Sequence, residues 1–358
     1  MLRRIGSALV RHILFGGSIL LAAPVAHAGD ADCSDNVVTV QLENDFFARL
    51  TNTDRHYTNG VRLSFVMPLN DDCIGLGRPA SGLVGWLTPV GTTQTTERIG
   101  YSIGQSMFTP DDTDTSQLVP DDRPYAGWLY LGLAYQAAYD RWDGSAIQDT
   151  LQLDLGVVGP AALAEEAQNS YHRFINVDEV NGWDNQLHNE PGLVLSLERK
   201  WRSAPQLPFS DTGLEFDALP FVHGAVGNVL TYAGAGATFR LGQGLDADFG
   251  PPRISPGLPG SEAFTPGKAG GKEDRDFSWY FFAGAEAQAV ARNIFLDGNT
   301  FRDSHHVDSL PLVGDFQAGV ALIYDTWRLT YTHVVRTPEF DEQEQFDQYG
   351  AVTVSWRF

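Results

Sequence analysis

The feature that most constrains this chain is a segment of about ten residues, alternately apolar and polar, that recurs along most of its length. The last segment is the clearest. In AVTVSWRF, Val352, Val354, Trp356 and Phe358 share one face, and polar residues occupy the other. The segments lie at 37–47, 57–67, 97–108, 125–139, 147–158, 192–201, 214–226, 229–241, 277–290, 314–324, 327–335 and 349–358.

These twelve segments predict an all-β fold, a twelve-stranded antiparallel transmembrane β-barrel. Bacterial single-chain barrels use an even number of strands, and the aromatic C-terminus is typical of them. We expect Gln41, Arg62, Gln136, Gln152 and Asp154 to fill a narrow lumen. Aromatic residues near the strand ends, namely Trp128, Tyr139, Trp201, Trp279 and Tyr331, are expected to form interfacial girdles.

The N-terminus predicts export. Arg3, Arg4 and Arg11 precede a short apolar run that ends in Ala-His-Ala, as in a secretory signal peptide. We therefore expect a signal peptide at residues 1–28 and one barrel domain at 29–358, located in the bacterial outer membrane. The formal net charge of −21 argues against nucleic acid as a partner.

Two cysteines, Cys33 and Cys73, fall at the predicted periplasmic end of the barrel. An even pair in an oxidising compartment favours one disulfide, and two free buried thiols are the alternative. Strand parity places the connections 48–56, 109–124, 159–191, 291–313 and 336–348 at the extracellular end.

One segment favours a helix. Pro160 opens AALAEEAQNSYHRF, which is rich in Ala, Leu and Glu. Glu165, Gln168 and His172 are spaced to share one side of this helix. A histidine there is a candidate general base, because imidazole titrates near neutrality.

Asn44 and Asp45 close the first predicted strand, and Thr58 begins the second. Parity places all three at the same rim as the helix that carries His172. Carboxylate and amide oxygens are the ligands that Ca²⁺ prefers. Ordinary turn chemistry with a solvated acidic rim explains the same residues, and the pattern alone leaves both interpretations open.

Several motifs occur in an order that resembles a known family. They are Asn44-Asp45, Asp54-Arg55, Tyr57-Thr58 with Gly60, Asp122-Arg123-Pro124-Tyr125-Ala126-Gly127, Gly156-Val157-Val158-Gly159-Pro160, Gln168-Asn169, His172-Arg173 and Trp183-Asp184-Asn185-Gln186. Together they span nearly the whole mature chain and resemble the outer-membrane lipid A 3′-O-deacylase family.

The resemblance implies a calcium-dependent ester hydrolase, a carboxylic ester hydrolase acting on lipid A or lipopolysaccharide in the outer leaflet. It would remove the 3′-linked acyloxyacyl chain and act as a monomer. His172 would activate water, Asn44, Asp45 and Thr58 would be essential, and Asp45 with Asn44 would hold Ca²⁺. The substrate-binding candidates are Arg55, Arg123, Gln168 and Arg173.

One departure from the family concerns the third strand and the loop after it. Some members carry basic residues there, suited to lipid A phosphates, whereas residues 99–122 contain no Lys or Arg here. Phosphate contacts would then come from Arg55, Arg123 or Arg173, or through bridging cations. A related outer-membrane phospholipase or esterase is therefore an alternative, and a catalytically silent barrel, a pore or a structural protein, is another.

A further question is the face from which the rim residues point. Strict alternation turns Asn44 outward and Asp45 inward. A site on the outer wall therefore requires a bend or bulge at the rim, for which Gly60 is the candidate.

Overall fold

The chain forms a closed antiparallel barrel in a computed structural model. The structure describes residues 35–49, 55–69, 89, 91–209, 212–252 and 277–358. The strands are β1 (Val37–Asn44), β2 (His56–Pro68), β3 (Thr93–Thr109), β4 (Ala126–Asp140), β5 (Ala146–Val158), β6 (Glu190–Arg202), β7 (Gln206–Phe209), β8 (Leu214–Gly227), β9 (Leu230–Gln243), β10 (Phe277–Asn293), β11 (Leu312–Tyr324), β12 (Trp327–Arg336) and β13 (Asp347–Arg357).

All twelve predicted strands are confirmed within a few residues at each end. The short strand β7 was not predicted. It pairs with the first residues of β8, before the part of β8 that pairs with β6. Each wall strand pairs with its neighbour in sequence, and β6 pairs directly with β8. The first and last strands complete the circle, with Val37 opposite Arg357 and Asn44 opposite Gly350. The wall therefore has no unpaired edge.

Alternation along the strands separates a polar lumen from an apolar outer wall. Gln41, Arg62, Gln136, Gln152 and Asp154 are all buried, as predicted for the lumen. The side chains of such inward residues fill the interior and bond to one another across it, as when Gln152 donates to Asp154 at 2.6 Å. The barrel interior is thus a packed polar core.

The outer face of the wall carries large exposed apolar side chains. Leu131, near the middle of β4, is 63% exposed, and its strand neighbours Ile103 and Leu155 are exposed as well. An exposed apolar band of this kind is stabilised when the protein lies in a bilayer, because the band then contacts hydrocarbon rather than water. No helix among the described residues is long and apolar enough to cross a membrane.

The predicted aromatic girdle is partly wrong. Trp201, Trp279 and Tyr331 lie on the outward face of their strands, but Trp128 and Tyr139 are fully buried. Trp128 points inward and stacks on Tyr130 with ring centroids 5.6 Å apart. The inward position fits because Gly192 has no side chain, so the indole occupies the space that a Cβ would need.

The periplasmic end of the lumen is closed by the segment after β9. Leu245, Ala247 and Asp248 are buried inside the barrel. Arg240 reaches this segment through the carboxylate of Asp248, and Arg202 donates to the Asp248 carbonyl at 3.1 Å. A buried ion-pair cluster therefore seals this end, which argues against an open pore.

The connections that parity assigned to the extracellular end do meet there. Asn181 donates to the carbonyl of Thr113 at 3.3 Å, and His188 donates to Asn299 at 2.9 Å. These bonds join three connections that are distant in sequence. The predicted helix also lies here as α2 (Ala164–Ile175), between the short helical turns α1 (Phe46–Arg49) and α3 (Ile294–Asp297).

The end of the first strand differs from the prediction. The segment 37–47 was expected to be extended throughout, but β1 stops at Asn44 and α1 follows. The amide oxygen of Asn44 accepts a hydrogen bond from the backbone N–H of Phe46 at 2.8 Å, which turns the chain at that point. The predicted signal peptide at 1–28, Cys33 and Cys73 lie outside the described residues.

The lipid-facing role of the outer wall predicts a position-dependent effect of charge. We expect Leu131→Arg to destabilise the barrel by about 2–4 kcal/mol, because the guanidinium would face hydrocarbon. Denaturant unfolding in phospholipid vesicles measures this free energy. Leu118→Arg is the matched control, since Leu118 is also exposed but lies in the connection after β3. Equal destabilisation by the two substitutions would contradict the assignment.

Candidate active site

The site begins where β1 ends. The side chain of Asn44 holds the rim together, because its Nδ2 donates to the carbonyl of Thr58 at 2.9 Å while its Oδ1 accepts from Phe46. One N–H of the carboxamide and one lone pair of its oxygen are engaged in this way. Asn44 therefore links the first two strands at the extracellular end.

Asp45 lies in the turn after β1 and is buried. Its Oδ2 accepts a hydrogen bond from the backbone N–H of Arg55 at 3.1 Å. Although β1 ends one residue earlier, Asp45 is buried in phase with Gln41 and Glu43, as alternation predicts. Its carboxylate joins the first extracellular connection to the residue before β2.

Thr58 is the extra residue of a β-bulge. Tyr57 pairs with Phe108 and Asn59 with Met107, so Thr58 has no partner of its own. Its hydroxyl shares a hydrogen bond of 2.8 Å with the hydroxyl of Thr109. The expected rim bulge is therefore present, although at Thr58 rather than at Gly60.

Gly60 has a different role from the one predicted. A Cβ at this position would lie 2.2 Å from the hydroxyl of Tyr57 and 3.1 Å from the Glu43 carboxylate. The glycine therefore makes room for the Tyr57–Glu43 hydrogen bond inside the lumen.

His172 lies on the buried side of α2 and is 4% exposed. After the helix, Asn176 adopts a left-handed conformation that turns the chain back. This turn places the carbonyl of Asp178 at 2.6 Å from Nδ1 of His172. A carbonyl only accepts, so Nδ1 carries the proton and Nε2 is the basic nitrogen of the neutral ring.

The helix packs on the outside of β3 and β4. Ala164 of α2 and Met107 of β3 belong to one buried apolar cluster with Tyr125, Val180 and Trp183. Met107 is two residues from Thr109, so both point from the same face of β3. The start of α2 therefore packs on Met107 of β3, two residues before Thr109, whose hydroxyl bonds Thr58.

Gln168, a predicted substrate-binding residue, also fixes the helix. Its Oε1 accepts from the indole N–H of Trp183 at 2.8 Å, and the side chain is buried. Asn169, the next residue of the helix, exchanges two hydrogen bonds with the backbone of Val180. Both residues hold the connection after α2 against the helix.

The three arginines proposed as phosphate contacts have different surroundings. Arg55 lies 3.5 Å from Asp111 and 3.8 Å from Asp347, and exposed Arg173 pairs with Glu179 at 3.1 Å. Arg123 is fully buried over the ring of Phe108 and faces Glu339 at 3.4 Å. Because its guanidinium lies inside the barrel, Arg123 is not placed to meet a lipid phosphate.

The carboxylate and amide oxygens at the rim are of the chemical type that a hard cation such as Ca²⁺ binds. Asp45 supplies a buried carboxylate, and the adjacent Asn44 supplies an amide oxygen with a second lone pair. Within the described part of the chain, no three His, Cys, Asp or Glu side chains cluster as a metal site. Further ligands would therefore be backbone carbonyls, water or substrate. His305 bonds the carbonyl of Asp122 at 2.7 Å.

A cluster that the sequence reasoning missed lies beside these residues. His56, two positions before Thr58, lies between the carboxylates of Asp347 and Asp122. The sequence feature that points to His56 is its position inside the motif that contains Arg55 and Thr58. The partners come from distant connections, however, and no spacing pattern reveals such contacts.

Acidic groups dominate the electrostatics of this end. Burial raises the pKa of Glu165 on α2, and neighbouring Glu166 and Asp184 raise it further. Burial by itself would also raise the pKa of Asp122. Hydrogen bonds from His56 and from the backbone amides of Asp111 and Arg123 outweigh that effect and lower it.

Comparisons with known proteins agree with this architecture. A family model described as "Outer membrane protein LpxR" matches residues 14–358. The solved structure of LpxR from Salmonella typhimurium is similar with a TM-score of 0.67, at 20% identity over 90% of this chain and 100% of that one. No curated protein sequence matches the chain.

Two autotransporter barrels are also similar over most of their length. The β domain of the Bordetella autotransporter Brka has a TM-score of 0.42, at 9% identity over 91% of this chain and 100% of that one. The translocator domain of NalP from Neisseria meningitidis has a TM-score of 0.41, at 11% identity over 98% of each chain.

The lowered pKa of Asp122 predicts acid sensitivity of the extracellular end. A depressed folded-state pKa stabilises the fold above the ordinary aspartate pKa of about 3.9, and the stabilisation is lost as the pH falls through the folded value. We expect hydrogen exchange at residues 110–125, corrected for the intrinsic rate, to accelerate below that pH.

Asp122→Asn should weaken this end at neutral pH by about 1–3 kcal/mol, because a charged acceptor is lost. It should also flatten the pH dependence of exchange. Asp303→Asn is the control, since Asp303 is exposed at the same end. If Asp122→Asn keeps the wild-type pH dependence of hydrogen exchange, Asp122 is not the titrating group.

Proposed function

The chain belongs to the LpxR family of outer membrane proteins, and from that premise we propose that it is a lipid A 3′-O-deacylase. Its substrate would be lipid A or lipopolysaccharide in the outer leaflet, which loses the 3′-linked acyloxyacyl chain by ester hydrolysis. The observation that carries the proposal is His172, a buried histidine on the outer side of the wall whose Nδ1 is bonded to a backbone carbonyl.

The tautomer of His172 supports a role as general base. With Nδ1–H donating to Asp178, Nε2 can take a proton from water. The water oxygen then attacks the ester carbonyl carbon and forms a tetrahedral intermediate. Its collapse breaks the bond to the sugar oxygen, and the proton on Nε2 passes to that oxygen. The products are a carboxylic acid and a free 3′-hydroxyl group.

The rim residues would position the ester. The hydroxyl of Thr58 is bonded to Thr109 of β3, and its carbonyl accepts from the Asn44 carboxamide of β1. Hydrogen bonds to both neighbouring strands therefore fix its position. Asn44 retains one amide N–H beyond the bond to Thr58, which can donate to a developing oxyanion. Phe46 and Phe47, which pack edge to face at 6.4 Å, lie beside the site where an acyl chain would enter.

Calcium would be held by Asp45 and Asn44, the adjacent oxygen donors of the rim. A calcium ion, when bound, supplies positive charge that stabilises negative charge on the ester carbonyl oxygen. The carboxylate of Asp45 supports this assignment, because it is a buried anionic oxygen donor of the type that Ca²⁺ prefers.

An esterase acting on a different outer-membrane lipid is the second candidate. The observation in its favour is the acidic rim, where Arg55 and Arg173 face carboxylates and Arg123 is buried. Parallel assays with diacyl phospholipid and with lipid A separate the two candidates. A pore is less well supported, because the lumen is packed and the periplasmic end is sealed.

Replacement of His172 tests the general base. We expect His172→Ala to lower kcat for release of the acyloxyacyl chain by about 10²–10⁴-fold, the usual contribution of general-base catalysis. Mass spectrometry of lipid A incubated with purified protein and Ca²⁺ follows the reaction. The control is His306→Ala, an exposed histidine at the same end, which should leave kcat unchanged. Full activity of His172→Ala would eliminate the proposed base.

Calcium binding is tested without reference to activity. We expect isothermal titration to detect Ca²⁺ binding to the wild type, and Asp45→Asn to weaken it by at least about tenfold, since even outer-sphere changes cost 10–100-fold. Asp303→Asn should bind Ca²⁺ as the wild type does. Equal affinity of all three proteins would place the cation elsewhere, and absence of binding would remove it from the proposal.

A further inference from the structure

We propose that His56 is a positioning residue for the site, whose ring anchors the backbone on which Arg55 and Thr58 stand. The inference rests on the proposed function, because positioning has meaning only for a reaction at this rim. His56 does not reach the space where the ester would lie. It acts through the two hydrogen bonds that its neighbours make with Asp45 and Thr109.

The ring of His56 is held on both sides. Nδ1 lies 2.7 and 2.9 Å from the two carboxylate oxygens of Asp347, and Nε2 lies 3.4 Å from Oδ1 of Asp122. Two carboxylates facing both ring nitrogens favour an imidazolium that donates from each. The side chain is 2% exposed, and the edge of Phe340 packs on it at 5.4 Å between centroids.

These contacts bring three distant parts of the chain together. Asp347 is the first residue of β13, Asp122 lies in the connection before β4, and His56 is the first residue of β2. The backbone carbonyl of Asp122 is in turn bonded by His305. The carboxylate of Asp122 also accepts a hydrogen bond from the backbone N–H of Asp111 at 2.7 Å. The start of β2 is therefore fixed to several connections rather than to one.

The backbone of His56 shows why an anchor is needed. Its φ is +57°, a left-handed conformation that residues with a Cβ adopt rarely and at a cost. This conformation turns the chain between Arg55, whose amide donates to Asp45, and the bulge at Thr58. Without the ring contacts, an ordinary extended φ would be favoured at His56.

Relaxation of His56 would move the bulge. An extended φ at residue 56 restores regular alternation, in which Thr58 pairs with a residue of β3 and its side chain changes face. The hydroxyl would then lose Thr109, and the Arg55 amide would lose Asp45. The ring of His56 therefore determines the geometry of the rim from inside the barrel.

Three substitutions separate the ring from the backbone. His56→Ala removes the ring and keeps the cost of positive φ. His56→Gly removes the ring but tolerates positive φ. His56→Asn also tolerates it and retains one amide donor for Asp347. The matched control is His223→Ala. His223 is another buried histidine, which lies on β8 with its Nε2 at 3.6 Å from the carboxylate of Glu286.

The first readout is kinetic, with lipid A in mixed micelles and Ca²⁺. We expect His56→Ala to lower kcat by about 10²-fold with KM little changed, the effect of a small misplacement of reacting groups. His56→Asn should recover part of the loss and His56→Gly less. His223→Ala should keep the wild-type kcat. Wild-type kcat in His56→Ala, or an equal loss in His223→Ala, would overturn the inference.

The second readout does not depend on catalysis. Hydrogen exchange by mass spectrometry should accelerate at residues 43–49 and 55–60 in His56→Ala and remain unchanged in β8 and β9. Heat modifiability on gels confirms that each variant is a folded barrel. If the wild type has no deacylase activity, the proposed function fails, and accelerated exchange confined to these residues still supports the anchor. Unchanged exchange there would refute it.

Discussion

Inside a bilayer every backbone N–H and C=O group must be hydrogen-bonded within the protein, because hydrocarbon offers no partner. The closed sheet meets this requirement through the pairing of β1 with β13 and of β6 with β8. Closure then assigns each residue to the lumen or to lipid by its parity alone. Irregular backbone is tolerated only at the two ends, and the site lies at one of them.

The extracellular end uses that tolerance. The left-handed turn at His56, the bulge at Thr58 and the helical turn after Asn44 all occur within the first extracellular connection and its flanking strands. Each is held by a side chain that reaches across the sequence. The outside of the wall is covered there by α2, which carries His172 and whose first residue, Ala164, packs with Met107 of β3. The proposed reaction at a lipid surface would thus depend on a rim whose backbone is held by contacts inside the barrel.

Much of this arrangement was predictable because it follows from alternation. Gln41 and Asp154 are buried and Leu131 is exposed for the same reason, which is their position in a period of two. The rim placement of α2 followed from counting strands. The inward position of Trp128 did not, since it depends on the space left by Gly192 on another strand.

The details of the site were less predictable. The bulge at Thr58 depends on the bond to Thr109, 51 residues away, and on the anchor of His56 to Asp347, 291 residues away. The buried position of Arg123 likewise depends on Glu339 and Phe108. Contacts of this range leave no periodic trace in a single sequence. Residue identity indicated the right part of the chain, and the tertiary contacts determine its geometry.

We propose that water activated at this rim hydrolyses the 3′ ester of lipid A. The most direct test of this proposal is a single turnover in water enriched in ¹⁸O, followed by mass spectrometry of both products. Attack of water on the carbonyl carbon predicts one ¹⁸O atom in the carboxylate of the released acyloxyacyl acid and none in the lipid A that remains. Unchanged lipid A, or label on the sugar hydroxyl, would contradict the account.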